Sequence, residues 1–110
     1  MNIVTSPRGS WTLFILSGKL DNAGSDELKR VLAPHLVAGG AIALDFGGIE
    51  YVTSSGFRVL MQAEKDLRLK NGRLLLGNLS KPVAGFMEIA GLHTLFKIVP
   101  DLKDALPKEA

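Results

Sequence analysis

The stretch Ala41–Leu69, AIALDFGGIEYVTSSGFRVLMQAEKDLRL, decides the fold of this 110-residue chain. Its first part, Ala41–Asp45, is apolar and predicts a buried strand. From Gly56 onward, apolar side chains recur at spacings of three and four, which predicts an amphipathic helix. Between the two, the pair Gly47-Gly48 predicts a turn. A strand followed closely by a helix is the repeating unit of α/β proteins.

The rest of the chain extends this alternation of strands and helices. Asn2–Thr5 and Trp11–Ser17 are strand-like runs joined by turn residues, which predicts an opening hairpin. The later predicted elements are a helix between Asp21 and Gly39, a strand at Arg73–Leu76, a helix between Ser80 and Gly91, a strand at Leu95–Val99 and a helix at Leu102–Leu106. We therefore expect a single α/β domain over residues 1–110. It should contain a mixed, mostly parallel sheet of four to five strands, about four helices and a loose tail at 106–110.

Two helices carry details that the structure can check. Pro34 lies inside the first predicted helix, where it either kinks the helix or ends its regular part. In the helix that follows Ser80, the apolar, core-facing side is predicted to consist of Val83, Phe86, Ile89 and Ala90.

The composition excludes several classes of function. Apolar residues make up 46% of the chain and charged residues 22%, which is typical of a folded globular domain. The net charge is only +2, too small to indicate nucleic-acid binding. The chain has no cysteine, which excludes disulfides and thiolate chemistry. No apolar run approaches the roughly 20 residues of a membrane span, and the N-terminus lacks signal-peptide features, so we expect a cytoplasmic protein.

Three hydroxyl residues, Thr53, Ser54 and Ser55, stand at the start of the long helix. The first N–H groups of a helix have no partner within it, and the helix dipole favours an anion there. A phosphate is therefore tolerated at this end, and phosphorylation would add about 1.5 to 2 negative charges. We predict Ser54 as the phosphorylated residue, with Thr53 and Ser55 as minor candidates. The alternative is that all three simply cap the helix, and one hydroxyl can cap while another faces solvent.

The same end of the sheet should form a docking surface for a protein partner. In open α/β sheets, ligands meet the protein outside the carboxyl ends of the strands, which places the loops 18–25 and 77–81 near Ser54. The predicted partner-binding residues are Asp21, Asn22, Gly24, Thr53, Ser54, Ser55, Gly56, Phe57, Arg58 and Met61. Gly56 is expected to keep the approach to the serines open, because it has no side chain. Two interpretations of Phe57 remain open: it is an exposed edge that docks the partner, or it is a core residue.

The segment Leu44–Leu60, LDFGGIEYVTSSGFRVL, resembles the signature of the STAS domain, and in particular of the bacterial anti-sigma-factor antagonists. Flanking segments resemble the same family in the same order, and the resemblance covers essentially the whole chain. These segments are Gly18–Asp21, Asn71–Leu74, Ala90–Leu92 and Phe96–Ile98.

This resemblance implies a partner-switching module rather than an enzyme. In the family, the unphosphorylated antagonist binds an anti-sigma factor that is also a serine kinase. The kinase phosphorylates the serine at the position of Ser54, binding is lost, and a metal-dependent serine phosphatase restores the first form. Thr53 stands where the family often has aspartate, and it can still cap the helix. The alternatives are an accessory STAS subunit of a transport ATPase, which docks without phosphorylation, and a hydrolase that uses Ser54 as its nucleophile.

No residue pattern indicates a metal or a cofactor. His35 and His93 are far apart in sequence, and each lacks the neighbouring ligands that a metal site needs. Asp45 is a candidate base near Ser54, but no histidine completes a nucleophilic relay. We therefore expect no cofactor, no metal, no nucleic acid and no membrane partner. A monomer and a weak dimer both remain open.

Overall fold

A computed structural model describes residues 1–108 and shows a five-stranded sheet with helices packed against it. The strands are β1 (Asn2–Arg8), β2 (Trp11–Leu20), β3 (Ala41–Val52), β4 (Arg73–Gly77) and β5 (Lys97–Val99). The helices are α1 (Asn22–Ala38), α2 (Ser54–Leu69), α3 (Lys81–Ile89) and α4 (Leu102–Ala105), with a 3-10 turn at Leu92–Thr94. The sheet order is β1-β2-β3-β4-β5, with β1 antiparallel to β2 and every other pair parallel. The predicted mixed α/β architecture is confirmed.

Strand alternation places apolar side chains on both faces of the sheet. On one face, Phe14 and Leu44 are fully buried in the main core, together with Leu28 of α1 and Leu60 of α2. On the opposite face, a smaller cluster is covered by α4 and comprises Leu13, Ala43, Leu75, Leu102 and Leu106. The central strands are apolar at consecutive positions because each of their faces meets a helix.

The end of the chain differs from the predicted loose tail. Leu106 is 9% exposed and packs in the α4 cluster, so the prediction of a tail starting at 106 is wrong for this residue. Leu106 is buried because it shares one face of this short segment with Leu102. Of the rest of the predicted tail, residues 109–110 lie outside the described residues.

The strand β3 is much longer than predicted and continues through Gly47-Gly48 to Val52. The two glycines therefore do not form the predicted turn. A Cβ on Gly48 would lie 2.9 Å from the Leu16 carbonyl oxygen, so glycine allows close approach of β2 and β3 where their register shifts. The Asp45 carboxylate accepts the Gly47 N–H at 2.8 Å and holds this irregularity. The added length carries the start of α2 beyond the end of β4.

The loop 77–81 therefore leaves the sheet earlier than expected. Gly77 pairs with Asp45, in the middle of β3, whereas α2 starts after Val52. The loop 18–25 does lie beside the start of α2, because Leu20 pairs with Val52. Only one of the two loops predicted near Ser54 is thus level with it.

Pro34 lies inside α1 and does not end it. The helix continues through Pro34 to Ala38.

In α3 the buried residues are Val83 and Met87, while Phe86 and Ile89 are exposed. The predicted core face of α3 is confirmed for Val83 and wrong for Phe86, Ile89 and Ala90, because α3 turns the side that carries Val83 and Met87 toward the core. Within residues 1–108, no helix has the length and apolarity to cross a membrane.

Candidate functional site

The candidate site is the corner where α1 and α2 begin side by side. Leu20, the last residue of β2, pairs with Val52, the last residue of β3. Because the two strands are parallel neighbours, the helices that follow them start at the same edge of the sheet. The predicted residues from both segments are thereby brought together, with Asp21 and Asn22 on one side and Thr53 and Ser54 on the other.

Three hydrogen bonds join the two segments through two pairs of residues, each pair 33 positions apart. The Thr53 hydroxyl donates to the Leu20 carbonyl oxygen at 3.1 Å, and the Thr53 N–H donates to the same oxygen at 3.0 Å. The Ser55 hydroxyl donates to Asn22 Oδ1 at 2.5 Å. The hydroxyls on both sides of Ser54 are therefore engaged in holding the start of α2 against the β2–α1 connection.

Ser54 is the first residue of α2, and it is exposed. Its hydroxyl has no hydrogen-bond partner within residues 1–108, unlike those of its two neighbours. The first intrahelical bond runs from the Phe57 N–H to the Thr53 carbonyl, so the N–H groups at 54–56 point out of the helix end. Thr53 is the N-cap by backbone conformation but makes no side-chain cap bond. The reading of these hydroxyls as side-chain caps alone is therefore not what the geometry shows.

The start of α1 is organised by Asp21. Its carboxylate accepts the Gly24 N–H at 2.9 Å, and its carbonyl accepts the Ser25 hydroxyl at 2.5 Å. Gly24 is buried, and a Cβ there would collide with the Lys19 carbonyl oxygen, so this close contact requires glycine. Asp21 and Gly24 thus shape the loop, whereas Asn22 is the exposed residue that the loop presents.

Gly56 and Phe57 are both buried, which corrects the expectation for Gly56 and decides between the two alternatives for Phe57. A Cβ on Gly56 would lie 2.7 Å from Val52 Cγ1 and 2.9 Å from the Leu20 carbonyl oxygen. Glycine is therefore needed for close packing of α2 and does not open an approach to the serines. Phe57 is 4% exposed, so it is a core residue and not an exposed docking edge.

The outward face of α2 carries Ser54, Arg58 and Met61. Residues four and seven positions apart lie on the same side of a helix. Arg58 is exposed and forms no ion pair within the described part of the chain, and Met61 is 38% exposed. A hydroxyl, a guanidinium and a thioether therefore share one accessible surface.

Sequence reasoning missed two exposed aromatic residues next to Phe57. Phe86 of α3 stacks on Phe57 with ring centroids 5.3 Å apart and is itself 53% exposed. Tyr51, which is 44% exposed, lines the same small cleft of about 220 Å³. Periodicity assigned Phe86 to the core, and no local signal distinguishes it from a buried phenylalanine.

A groove of about 630 Å³ runs between α1 and α2 and ends at this corner. Its lining includes Ser55 and Asn22 from this corner, together with Arg58 of α2 and Asp26 of α1. The lining also includes apolar residues such as Leu32. Arg58 therefore borders both the groove and the outward face of α2.

The two histidines considered as metal ligands, His35 and His93, lie in different parts of the fold. His35 packs edge-on against Phe14 with ring centroids 5.0 Å apart, which is a structural contact. His93 lies in the 3-10 turn that follows α3. Across residues 1–108, no three histidine or acidic side chains converge as metal ligands would.

Comparisons with known proteins place the fold and the family. The family model described as "Mlab, STAS domain" matches residues 9–100. A Bordetella bronchiseptica protein named "Putative anti-sigma factor antagonist BtrV" is 31% identical over 101 residues, covering 84% of this chain and 87% of that protein.

Among solved structures, the anti-sigma factor antagonist SpoIIAA in its unphosphorylated form matches with a TM-score of 0.77 and 18% identity over 94% of this chain and 93% of the other. The phosphorylated form of Bacillus SpoIIAA matches with a TM-score of 0.72 and 17% identity, covering 94% and 96%. At these identities the structures show a shared fold. The family model and the Bordetella relative carry the assignment further: this chain belongs to the STAS domain family, which includes the anti-sigma-factor antagonists it resembles.

Proposed function

We propose that this protein is an anti-sigma-factor antagonist that acts by partner switching through Ser54. In its unphosphorylated form it binds an anti-sigma factor that is also a serine kinase, and phosphorylation of Ser54 ends the binding. The observation that carries the proposal is the selective exposure of Ser54. Its hydroxyl is open at the start of α2, whereas those of Thr53 and Ser55 are engaged by Leu20 and Asn22.

The chemistry needed of this chain is that of a substrate. The Ser54 Oγ attacks the γ-phosphorus of ATP held by the kinase, an O–P bond forms, and the bond from the γ-phosphorus to the β-phosphate oxygen breaks. ADP leaves, and the serine proton passes to a base of the kinase or to water. A metal-dependent serine phosphatase returns the hydroxyl by hydrolysis and releases inorganic phosphate. In this proposal the protein itself catalyses nothing.

A phosphate on Ser54 acts on binding without needing to change the fold. The residue is exposed and at the helix N-terminus, where a dianion is tolerated. The same dianion sits on the surface that includes Met61 and Arg58. A partner docked there must desolvate the added charge, and removing an ionised group from water disfavours the complex.

The test compares substitutions at Ser54 in a binding assay. The wild-type chain is used as bait to capture its ATPase-fold partner from the source cells, and the affinity of that partner is then measured by calorimetry. Ser54→Ala should bind as wild type does, whereas Ser54→Asp should bind at least about 10-fold more weakly, which corresponds to about 1.4 kcal/mol. The matched control is Ser10→Asp, an exposed serine before β2, at the opposite end of a strand about 30 Å long.

The outcomes separate the proposal from its alternatives. Incubation of the captured kinase with ATP should place phosphate on Ser54, located by mass spectrometry. Equal affinity of the Ser54→Ala and Ser54→Asp variants would refute the switch. Capture of a transporter ATPase in place of a kinase would favour the accessory-subunit role, and ester hydrolysis lost in Ser54→Ala would favour the enzyme.

A further inference from the structure

We infer that Arg58 is an internal clamp for the phosphate on Ser54, so that phosphorylation also withdraws this guanidinium from the docking surface. The inference rests on the proposed function for the occurrence of the phosphate.

The geometry of α2 places the two groups together. Ser54 and Arg58 are separated by four residues on one helix, and side chains with this spacing are neighbours on the helix surface. Both are exposed, so neither must leave a packed position to meet the other. A guanidinium can donate two parallel N–H bonds to phosphate oxygens, which makes arginine well suited to this pairing.

Arg58 is available for this role in the unphosphorylated form. It forms no ion pair in the part of the chain that the structure describes, whereas Arg68, on the same helix, lies 3.9 Å from Glu64. Arg58 instead lines the α1–α2 groove, as does Asp26 of α1. Its guanidinium is therefore available to pair with a phosphate on Ser54.

The other acidic groups of the corner compete weakly with the phosphate for Arg58. Asp21 is half-buried, and its carboxylate already accepts the Gly24 N–H. Glu50 is an exposed carboxylate on β3, and Lys19, exposed on β2, is a cation that does not attract Arg58. A dianionic phosphate carries more charge than any one of these carboxylates, so it is the strongest local attractor for Arg58.

The clamp would give phosphorylation two effects on a partner. The phosphate adds negative charge to the surface that includes Met61, and Arg58 turns from the α1–α2 groove toward Ser54. A partner carboxylate that pairs with Arg58 in the unphosphorylated complex therefore loses its cation while it meets a new anion.

The test uses the full chain with Ser54 replaced by phosphoserine through a suppressor tRNA, so neither kinase nor partner is needed. The phosphorus-31 chemical shift is followed between pH 4 and 8. Arg58→Gln should raise the midpoint of this titration by about 0.3 pH unit, the shift expected when a phosphate loses its i,i+4 ion pair on an exposed helix. The matched control, Lys65→Gln, removes an exposed charge three helical turns away and should leave the midpoint unchanged.

A second measurement follows Arg58 directly. The Nε–H resonance of Arg58 should shift between the unmodified and phosphorylated wild-type chains, while that of Arg68 should not. Equal titration midpoints for Arg58→Gln and wild type, or an unmoved Arg58 resonance, would overturn the clamp. Failure of the proposed switch is a separate result, since a phosphorylated chain that keeps full affinity for its partner refutes the switch whatever the midpoint.

Discussion

The sharpest stability prediction compares the same substitution at two helical glycines. Gly56 lies in the first turn of α2, and Gly85 lies inside α3. A Cβ on Gly56 would meet Val52 Cγ1, Leu20 Cγ and the Leu20 carbonyl oxygen at 2.7, 2.8 and 2.9 Å. A Cβ on Gly85 would meet nothing within 4 Å. Gly56→Ala and Gly85→Ala should therefore change the free energy of unfolding in opposite directions.

The magnitudes follow from two competing effects. Replacing glycine by alanine in a helix gains about 0.5–1 kcal/mol, since alanine loses less backbone entropy on folding. At Gly85 this gain is unopposed, so Gly85→Ala should be stabilised by about 0.5–1 kcal/mol. At Gly56 the contacts below 3.0 Å force α2 away from β2 and β3, and such overpacking costs about 1–3 kcal/mol. Gly56→Ala should therefore be destabilised by about 1–2 kcal/mol.

Urea unfolding, followed by helical circular dichroism and by the fluorescence of Trp11, measures both variants. Two probes that report one coincident transition justify a two-state analysis. A loss of 1 kcal/mol lowers the melting temperature of a domain of about this size by roughly 4–8 °C. If Gly56→Ala is as stable as wild type or more so, the close packing of α2 on Leu20 and Val52 is not a constraint, and the structural role given to this glycine is wrong.

Two further substitutions test the contacts that hold the site and the second core cluster. Thr53→Val removes the hydroxyl bond to the Leu20 carbonyl and should cost about 0.5–1.5 kcal/mol, whereas Thr53→Ser keeps the bond; equal urea midpoints for the two variants would show that the bond contributes nothing. Leu102→Ala removes a residue that is 3% exposed between α4 and the sheet, and it should cost about 2–5 kcal/mol in the same assay. An unchanged midpoint would show that α4 does not stabilise the sheet.

The local pattern of apolar residues was sufficient to predict the existence and order of most strands and helices. The apolar runs Trp11–Ser17 and Ala41–Asp45 fall within β2 and β3, and the stripe that starts at Gly56 falls within α2. The parallel arrangement followed from the alternation of strands with helices, because a parallel pair needs a crossover connection. The exposure of Ser54 was also predictable, since the first residue of a surface helix commonly faces solvent.

Element ends and faces depended on contacts that no local window contains. Gly47-Gly48 reads as a turn, yet β3 passes through it, because β2 lies close enough to continue the pairing with a shifted register. Phe57 and Phe86 both have apolar spacing, but only Phe57 lies beneath α3 and is buried. Which side of a helix is covered depends on the direction from which its neighbours approach.

The sequence by itself thus determined the α/β class, the helix that starts at the hydroxyl cluster and the solvent-facing serine. Only the tertiary structure decided that Thr53 and Ser55 are held by Leu20 and Asn22, 33 residues earlier. The physical reason is that local preference acts over a few residues through backbone and side-chain geometry. The pairing of distant residues depends on the register of β2 against β3, which irregular pairing around Ser17 and Gly18 adjusts.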